Sequence, residues 1–231
     1  MAGEIDVMTF NPASAQSILK ILKTVDLPDK DLVIELGSQR YTSQRIFNAP
    51  GTPEFYLMNG FKEYLALDIN NTKYTVKADL NEVCTLGRQA SLVTDIGTSE
   101  HVFDQGMIFL NIHNLCKVGG VMFYHLPFTP WLNHGFFNYN PILFEALADA
   151  NDYQILSIEI GDREGVMVDL PLDEILKERG QFALEKAAKE APKPLFVYAT
   201  LRKTKDEPFK KPFQKRYKQD IADDTILQRY S

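Results

Sequence analysis

The chain has 231 residues, 45% of them hydrophobic and 24% charged, and carries a formal net charge of −6 at pH 7. That balance places it among globular rather than disordered or membrane chains, and no apolar run reaches the ~20 residues that a membrane-spanning helix requires. Its two cysteines, Cys84 and Cys116, stand in no CxxC or Cys/His spacing, so a disulfide scaffold is excluded, and the acidic excess argues against a general nucleic-acid binder.

Pro12 to Val25 sets Ile18, Leu19, Leu22 and Val25 at helical spacing, with proline at the start and lysines late, which predicts an amphipathic helix. After a turn at Pro28-Asp29-Lys30, Leu32–Leu36 is a short apolar run closed by Gly37, the pattern of a buried parallel strand. Tyr64–Ile69, Tyr74–Ala78 and Ser91–Thr94 follow as strands, each bringing a polar residue to its carboxyl end. A helix is expected over His101–Cys116, stopped by Lys117-Val118-Gly119-Gly120, and then a fully buried strand over Val121–Leu126. An aromatic loop, Pro127–Asn140, leads to a helix over Pro141–Ala150. Tyr153–Ile160 and Leu195–Leu201 read as the last strands, joined through a helix over Leu172–Lys189.

Strands that alternate with helices predict one α/β domain whose mostly parallel sheet is covered on both faces, the final pair making an antiparallel edge. Residues 1–30 are expected to add an N-terminal helix, 31–201 to form the core, and 202–231 to wrap over it as a basic tail. Met1–Asp6 carries two acids and neither a basic nor an apolar leader segment, so a cytoplasmic location is expected.

Ligands of open parallel sheets bind beyond the carboxyl ends of the strands, where strand order reverses. Glu35, Asp68, Asp79 and Asp95 all arrive there. A glycine at 37 would let the backbone approach a ligand, and the next helix N-terminus would offer free amides. Asp68 could accept both hydroxyls of a ribose. Asp79 could accept from an exocyclic amine while Leu80 packs on the purine face.

Val33-Ile34-Glu35-Leu36-Gly37-Ser38 resembles the first motif of class I methyltransferases, Leu67-Asp68-Ile69-Asn70 their ribose-binding acid, and Asp79-Leu80 their adenine-side position. Gly97-Thr98-Ser99-Glu100-His101-Val102-Phe103 and Leu115-Cys116-Lys117-Val118-Gly119-Gly120-Val121 are similar to the EHV helix and the LKPGG segment of the small-molecule branch. The resemblance implies a Rossmann-like, seven-stranded sheet and S-adenosylmethionine as cofactor, with transfer of its methyl group to an O or N atom of a small-molecule or glycan-like acceptor. It implies cofactor contacts from Glu35, Gly37, Ser38, Asp68, Ile69, Asp79, Leu80, Asp95 and Ser99. The chain departs from the family at Ser38, Gln39 and Arg40, where further glycines are usual, and at Val118, where proline is usual. That single-glycine loop leaves open a non-catalytic cofactor-binding or assembly module.

His101 and His134 are the expected acceptor-side bases, with His125, Asn138 and Tyr139 as further substrate contacts, because strand ends and an amide-rich aromatic loop place them at the cleft mouth. His113, inside a helix, reads as structural. No HxH, HExxH or Cys/His pairing occurs, so no metal is expected from spacing. Walker, GxSxG and Cys/His nucleophile patterns are absent, which excludes the kinase and hydrolase signatures. The tail interleaves Lys210, Lys211, Lys215, Arg216 and Lys218 with Phe209, Phe213 and Tyr217. This pattern suits a solvated cover, a grip on an anionic acceptor, or a single-stranded nucleic acid, and it is the one feature favouring a nucleic-acid methyltransferase. An oligomer is compatible with the sequence.

Overall fold

The computed structural model describes residues 10–39, 47–176, 180–191, 193–214, 217 and 225. The start of the N-terminal segment, Arg40, the centre of the Leu172–Lys189 stretch, and Lys215, Arg216 and Lys218 of the tail lie outside the described residues.

Seven strands form one sheet: β1 (Leu32–Leu36), β2 (Glu63–Asp68), β3 (Thr75–Lys77), β4 (Ala90–Ile96), β5 (Cys116–Thr129), β6 (Gln154–Gly161) and β7 (Leu195–Arg202). Their order is β3-β2-β1-β4-β5-β7-β6. The β1, β2, β3, β4 and β5 pairings are parallel, whereas β7 runs antiparallel to both β5 and β6. This is the expected Rossmann-like architecture with an antiparallel close.

Six α-helices belong to the described residues: α1 (Pro12–Thr24), α2 (Thr52–Met58), α3 (Gln105–Leu115), α4 (Ile142–Asn151), α5 (Leu172–Leu176) and α6 (Gly180–Glu190). Asn11 begins α1, its Oδ1 accepting from Ser14 N at 2.9 Å with Pro12 in the first turn. Asp104 caps α3 in the same way, accepting from Met107 N at 2.9 Å. The helix expected from His101 therefore begins four residues later, after a single 3-10 turn at Ser99–His101.

Side-chain alternation along each strand divides the core. Val33, Leu92, Val121 and Phe123 face α1 and α2, packed with Ile18, Ile21, Phe55 and Tyr56. Leu32, Ile34, Leu36, Val93, Met122 and Tyr124 face the other side, against Ile108 and Ile112 of α3 and Phe144 and Leu147 of α4. Each such side chain, fully buried, contributes about 1.5–3 kcal/mol relative to exposure, so both faces are strongly specified. A third cluster, Ile160, Ile175, Leu184 and Leu195, seats α5 and α6 against the antiparallel edge.

Lys117-Val118-Gly119-Gly120 does not terminate α3 by a turn. It already belongs to β5, where Gly119 N donates to Lys203 O at 2.7 Å and Lys203 N donates to Gly120 O at 3.0 Å. Beyond β7 the chain is pinned without regular structure. His113 bonds Tyr153 through Nδ1 and the Glu207 carbonyl through Nε2 at 2.8 Å, and Lys210 N donates to Asn151 Oδ1 at 2.8 Å. Residues 203–210 thus lie over α3 and the end of α4. Among the described residues no helix is long and apolar enough to cross a membrane.

Candidate functional site

The reversal of strand order between β1 and β4 opens a cleft of about 460 Å³ at the carboxyl ends of β1 to β4. Four consecutive strand exits form it: Gly37-Ser38 after β1, Asp68-Ile69-Asn70 at β2, Ala78 to Asn81 after β3, and Gly97-Thr98 after β4, with His101 and Val102 at the rim. Its size is that of a small-molecule site.

Gly37 has φ +74°, a conformation that favours glycine, and a Cβ there would collide with Thr98 Oγ1. Its N–H donates to Leu67 O at 2.8 Å, which ties the β1 exit to β2. Ser38 N donates to Asp68 Oδ2 at 2.6 Å and Asn70 N to Asp68 Oδ1 at 2.9 Å, so both carboxylate oxygens are aimed by backbone. Asp79 accepts from Asn81 N and Nδ2, both at 2.9 Å, and these bonds hold its carboxyl below the ordinary range. Leu80 is buried beside it, while Ile69, which also lines the cleft, is exposed.

Two residues missed by sequence reasoning shape this floor. Thr98 Oγ1 donates to Leu36 O at 2.8 Å, and Gln39 Nε2 donates to Ile96 O at 2.7 Å and Thr98 Oγ1 at 3.2 Å. Gln39 therefore crosslinks the exits of β1 and β4 by a side-chain amide. A polar residue within two positions of the strand-closing glycine was the available signal.

Several expected site residues sit elsewhere. Glu35 does not line the cleft: strand alternation turns it onto the α2 face, fully buried, where Tyr64 donates to Oε2 at 2.5 Å and the Tyr56 and Thr94 hydroxyls reach Oε1 at 3.3 Å each. Burial pushes its carboxyl up to about 8. The helix that follows β1 among the described residues starts only at Thr52 and lends no amides to the cleft. His125 is likewise buried on the α1 face, 2.7 Å from Ser14 Oγ and stacked on Tyr198 at 4.2 Å, and burial drives its imidazole down to about 3. It is a core residue, closed off from any acceptor.

Asp95 and Ser99 lie beneath the cleft instead of on its wall. Asp95 Oδ1 accepts from Ser99 N at 3.3 Å, and burial followed by the nearby Glu100 pushes its carboxyl up to about 7. The Tyr139 hydroxyl, also buried, lies 2.9 Å from Ser99 Oγ and 2.7 Å from Gln105 Oε1. Tyr139 thus fastens the aromatic loop to the start of α3. Asn138 is exposed on a separate groove with Phe128, Thr129 and residues of α6.

The aromatic loop brings His134 to His101 and to Glu100. The imidazole rings are 5.1 Å apart, and Glu100 Oε1 lies 3.4 Å from His134 Nε2 and 3.8 Å from His101 Nε2. Phe136 N donates to Glu100 O at 2.7 Å, which holds the loop in this place. Sequence spacing shows no sign of the convergence, because His134 lies 33 positions after His101.

No protein-family model matches the chain, and no curated protein matches it. Solved structures do share its architecture. They include the Burkholderia thailandensis 1,6-didemethyltoxoflavin-N1-methyltransferase with bound 1,6-didemethyltoxoflavin and S-adenosylhomocysteine, at 15% identity and TM-score 0.50, over 83% of this chain and 77% of that one. TehB from Haemophilus influenzae aligns at 13% identity and TM-score 0.51, over 82% of this chain and 62% of that one. YjhP from E. coli aligns at 13% identity and TM-score 0.50, over 87% and 96% of the two chains. At such identities the likeness concerns architecture, and the chain has the Rossmann-like methyltransferase fold.

Proposed function

We propose that the chain binds S-adenosylmethionine in the β1–β4 cleft and transfers its methyl group to an O or N atom of a small-molecule or glycan-like acceptor. The observation that carries this reading is the convergence of Gly37, Ser38, Asp68, Asp79 and Leu80 on one cleft from successive strand exits.

The donor set fits the cofactor. Each Asp68 oxygen takes one backbone N–H and keeps acceptor capacity for a ribose hydroxyl. Ile69 and Leu80 offer apolar surface to a purine, with Asp79 at its edge as an acceptor. Gly37 brings bare backbone to the floor, where a side chain would strike Thr98. The bound sulfonium supplies an activated methyl group, so the protein's main task is alignment of the acceptor, which by itself can lower the barrier by several kcal/mol. His101 at the rim, with His134 behind it, is the side from which an acceptor proton would be removed.

Calorimetric titration with S-adenosylmethionine and S-adenosylhomocysteine, with NADH as control, tests the cofactor assignment. Micromolar binding of the sulfur nucleotides alone supports it, and absence of binding overturns it. The Gln39 crosslink in a loop with one glycine favours a second reading, a binding module without turnover. Conversion of bound S-adenosylmethionine in the presence of an acceptor panel separates the two.

A further inference from the structure

Glu100 is fully buried, and neither of its carboxylate oxygens meets a hydrogen-bond donor among the described residues. The buried His134 Nε2 has no hydrogen-bond partner either. A carboxylate enclosed in this way is costly unless a cation or a donor compensates it. The atoms aimed at it are two imidazole nitrogens, and the three candidate ligand atoms from Glu100, His101 and His134 all lie within 4.8 Å of one another.

We propose that Glu100, His101 and His134 form a binding site for one divalent transition-metal ion of the zinc type. Ligands held ~2.1 Å from a tetrahedral ion stand about 3.4 Å apart. The Glu100 Oε1 to His134 Nε2 separation is 3.4 Å, and the 3.8 Å to His101 Nε2 closes by a small rotation of a half-exposed side chain. Two nitrogens and one carboxylate suit zinc and its neighbours, whereas magnesium and calcium prefer all-oxygen shells.

The backbone prepares this geometry. Phe136 and Phe137 N–H both donate to Glu100 O, at 2.7 and 3.3 Å, and a Cβ on Gly135 would stand 2.8 Å from Glu100 Cγ. The loop carrying His134 is therefore fixed against the ligand carboxylate. Three protein ligands would leave at least one coordination position open, and His101 among them lines the cleft. With the ion bound, the imidazole nitrogens that hold it cannot also take the acceptor proton, so activation of the acceptor would pass from the free imidazoles to that open position; this role rests on the methyl-transfer reading, and metal binding itself does not.

The test uses tag-free, full-length protein stripped with a chelator and titrated calorimetrically with zinc, with magnesium in parallel, and examined optically with cobalt(II). One equivalent of zinc bound at micromolar or tighter affinity, magnesium at least 100-fold weaker, and a visible cobalt band of low coordination number are expected. Glu100→Gln and His101→Ala should each lower zinc affinity by more than the ~10–100-fold typical of losing an outer-shell partner, and should abolish the cobalt band. His101 is half exposed, so its replacement tests the site without endangering the fold. Absence of stoichiometric zinc, or uptake unchanged in both variants, overturns the site. Titration of the metal-free protein with S-adenosylhomocysteine is scored separately: nucleotide binding without metal binding sinks this inference alone, and the reverse sinks the cofactor reading alone.

Discussion

Gly135 and Glu100 are packed so closely that the loop can pass only without a side chain: a Cβ at 135 would lie 2.8 Å from both Glu100 Cγ and Glu100 O. Gly135→Ala must therefore lift the loop from the middle of the 3-10 turn. Overpacking of this kind costs typically 1–3 kcal/mol, measurable by urea denaturation. Because His134 moves with the loop, zinc affinity and turnover should fall while S-adenosylhomocysteine affinity stays within twofold. Equal loss of nucleotide affinity would mean that the loop also shapes the cleft formed by the exits of β1 to β4.

Asp68→Ala removes the acceptor that Ser38 and Asn70 aim into the cleft. A hydrogen bond to a charged group is worth about 1.5–3 kcal/mol, so nucleotide affinity should drop roughly 10- to 150-fold with little change in stability. Calorimetry reads the change, and unaltered affinity removes the ribose assignment.

Glu35→Gln should change the pH dependence of stability. The Glu35 carboxyl is held protonated by burial, with its folded value at about 8 against an ordinary 4.5. The native state thus binds more protons, and this contribution is fully present below pH 4.5 and is lost as pH rises through 8. The variant lacks that slope, so its stability relative to wild type should rise steadily across the same window in urea titrations. Parallel curves would show that Glu35 is ionised in the folded protein.

His125→Phe probes the opposite limb. The neutral His125 imidazole, lowered to about 3 by burial and then by Arg163, supports stability above pH 6.5 that is lost as pH falls toward 3. At pH 8 the variant should lose about 1 kcal/mol with the contact to Ser14 Oγ, yet below pH 6 it should gain on wild type. Nucleotide affinity should not change, since His125 is sealed between α1 and β7. A fall in affinity would return it to the binding site.

The sequence made the sheet legible because buried parallel strands are short apolar runs: Leu32–Leu36 is found at the bounds expected, and Asp68 and Asp79 are found at strand exits on the cleft. It was less informative where burial depends on distant partners. Lys117 to Gly120 looks like a helix stop, but pairing with the chain around Lys203 draws it into β5. No helix was expected over Thr52–Met58, and the one found there is held by Phe55 and Tyr56 packing against Phe10, Phe61 and Tyr64.

What the sequence determined by itself was the class of fold and the side of the sheet on which acids accumulate, because hydrophobic periodicity and strand-end chemistry are local properties of the chain. Which acids face the cleft was decided by tertiary structure. Glu35 and Asp68 both close apolar strands, yet strand alternation hands Glu35 to the hydroxyls of Tyr56, Tyr64 and Thr94 and leaves Asp68 in the cleft. The meeting of Glu100, His101 and His134 is likewise non-local, since it exists only when β5 and the loop after it fold back over the end of β4.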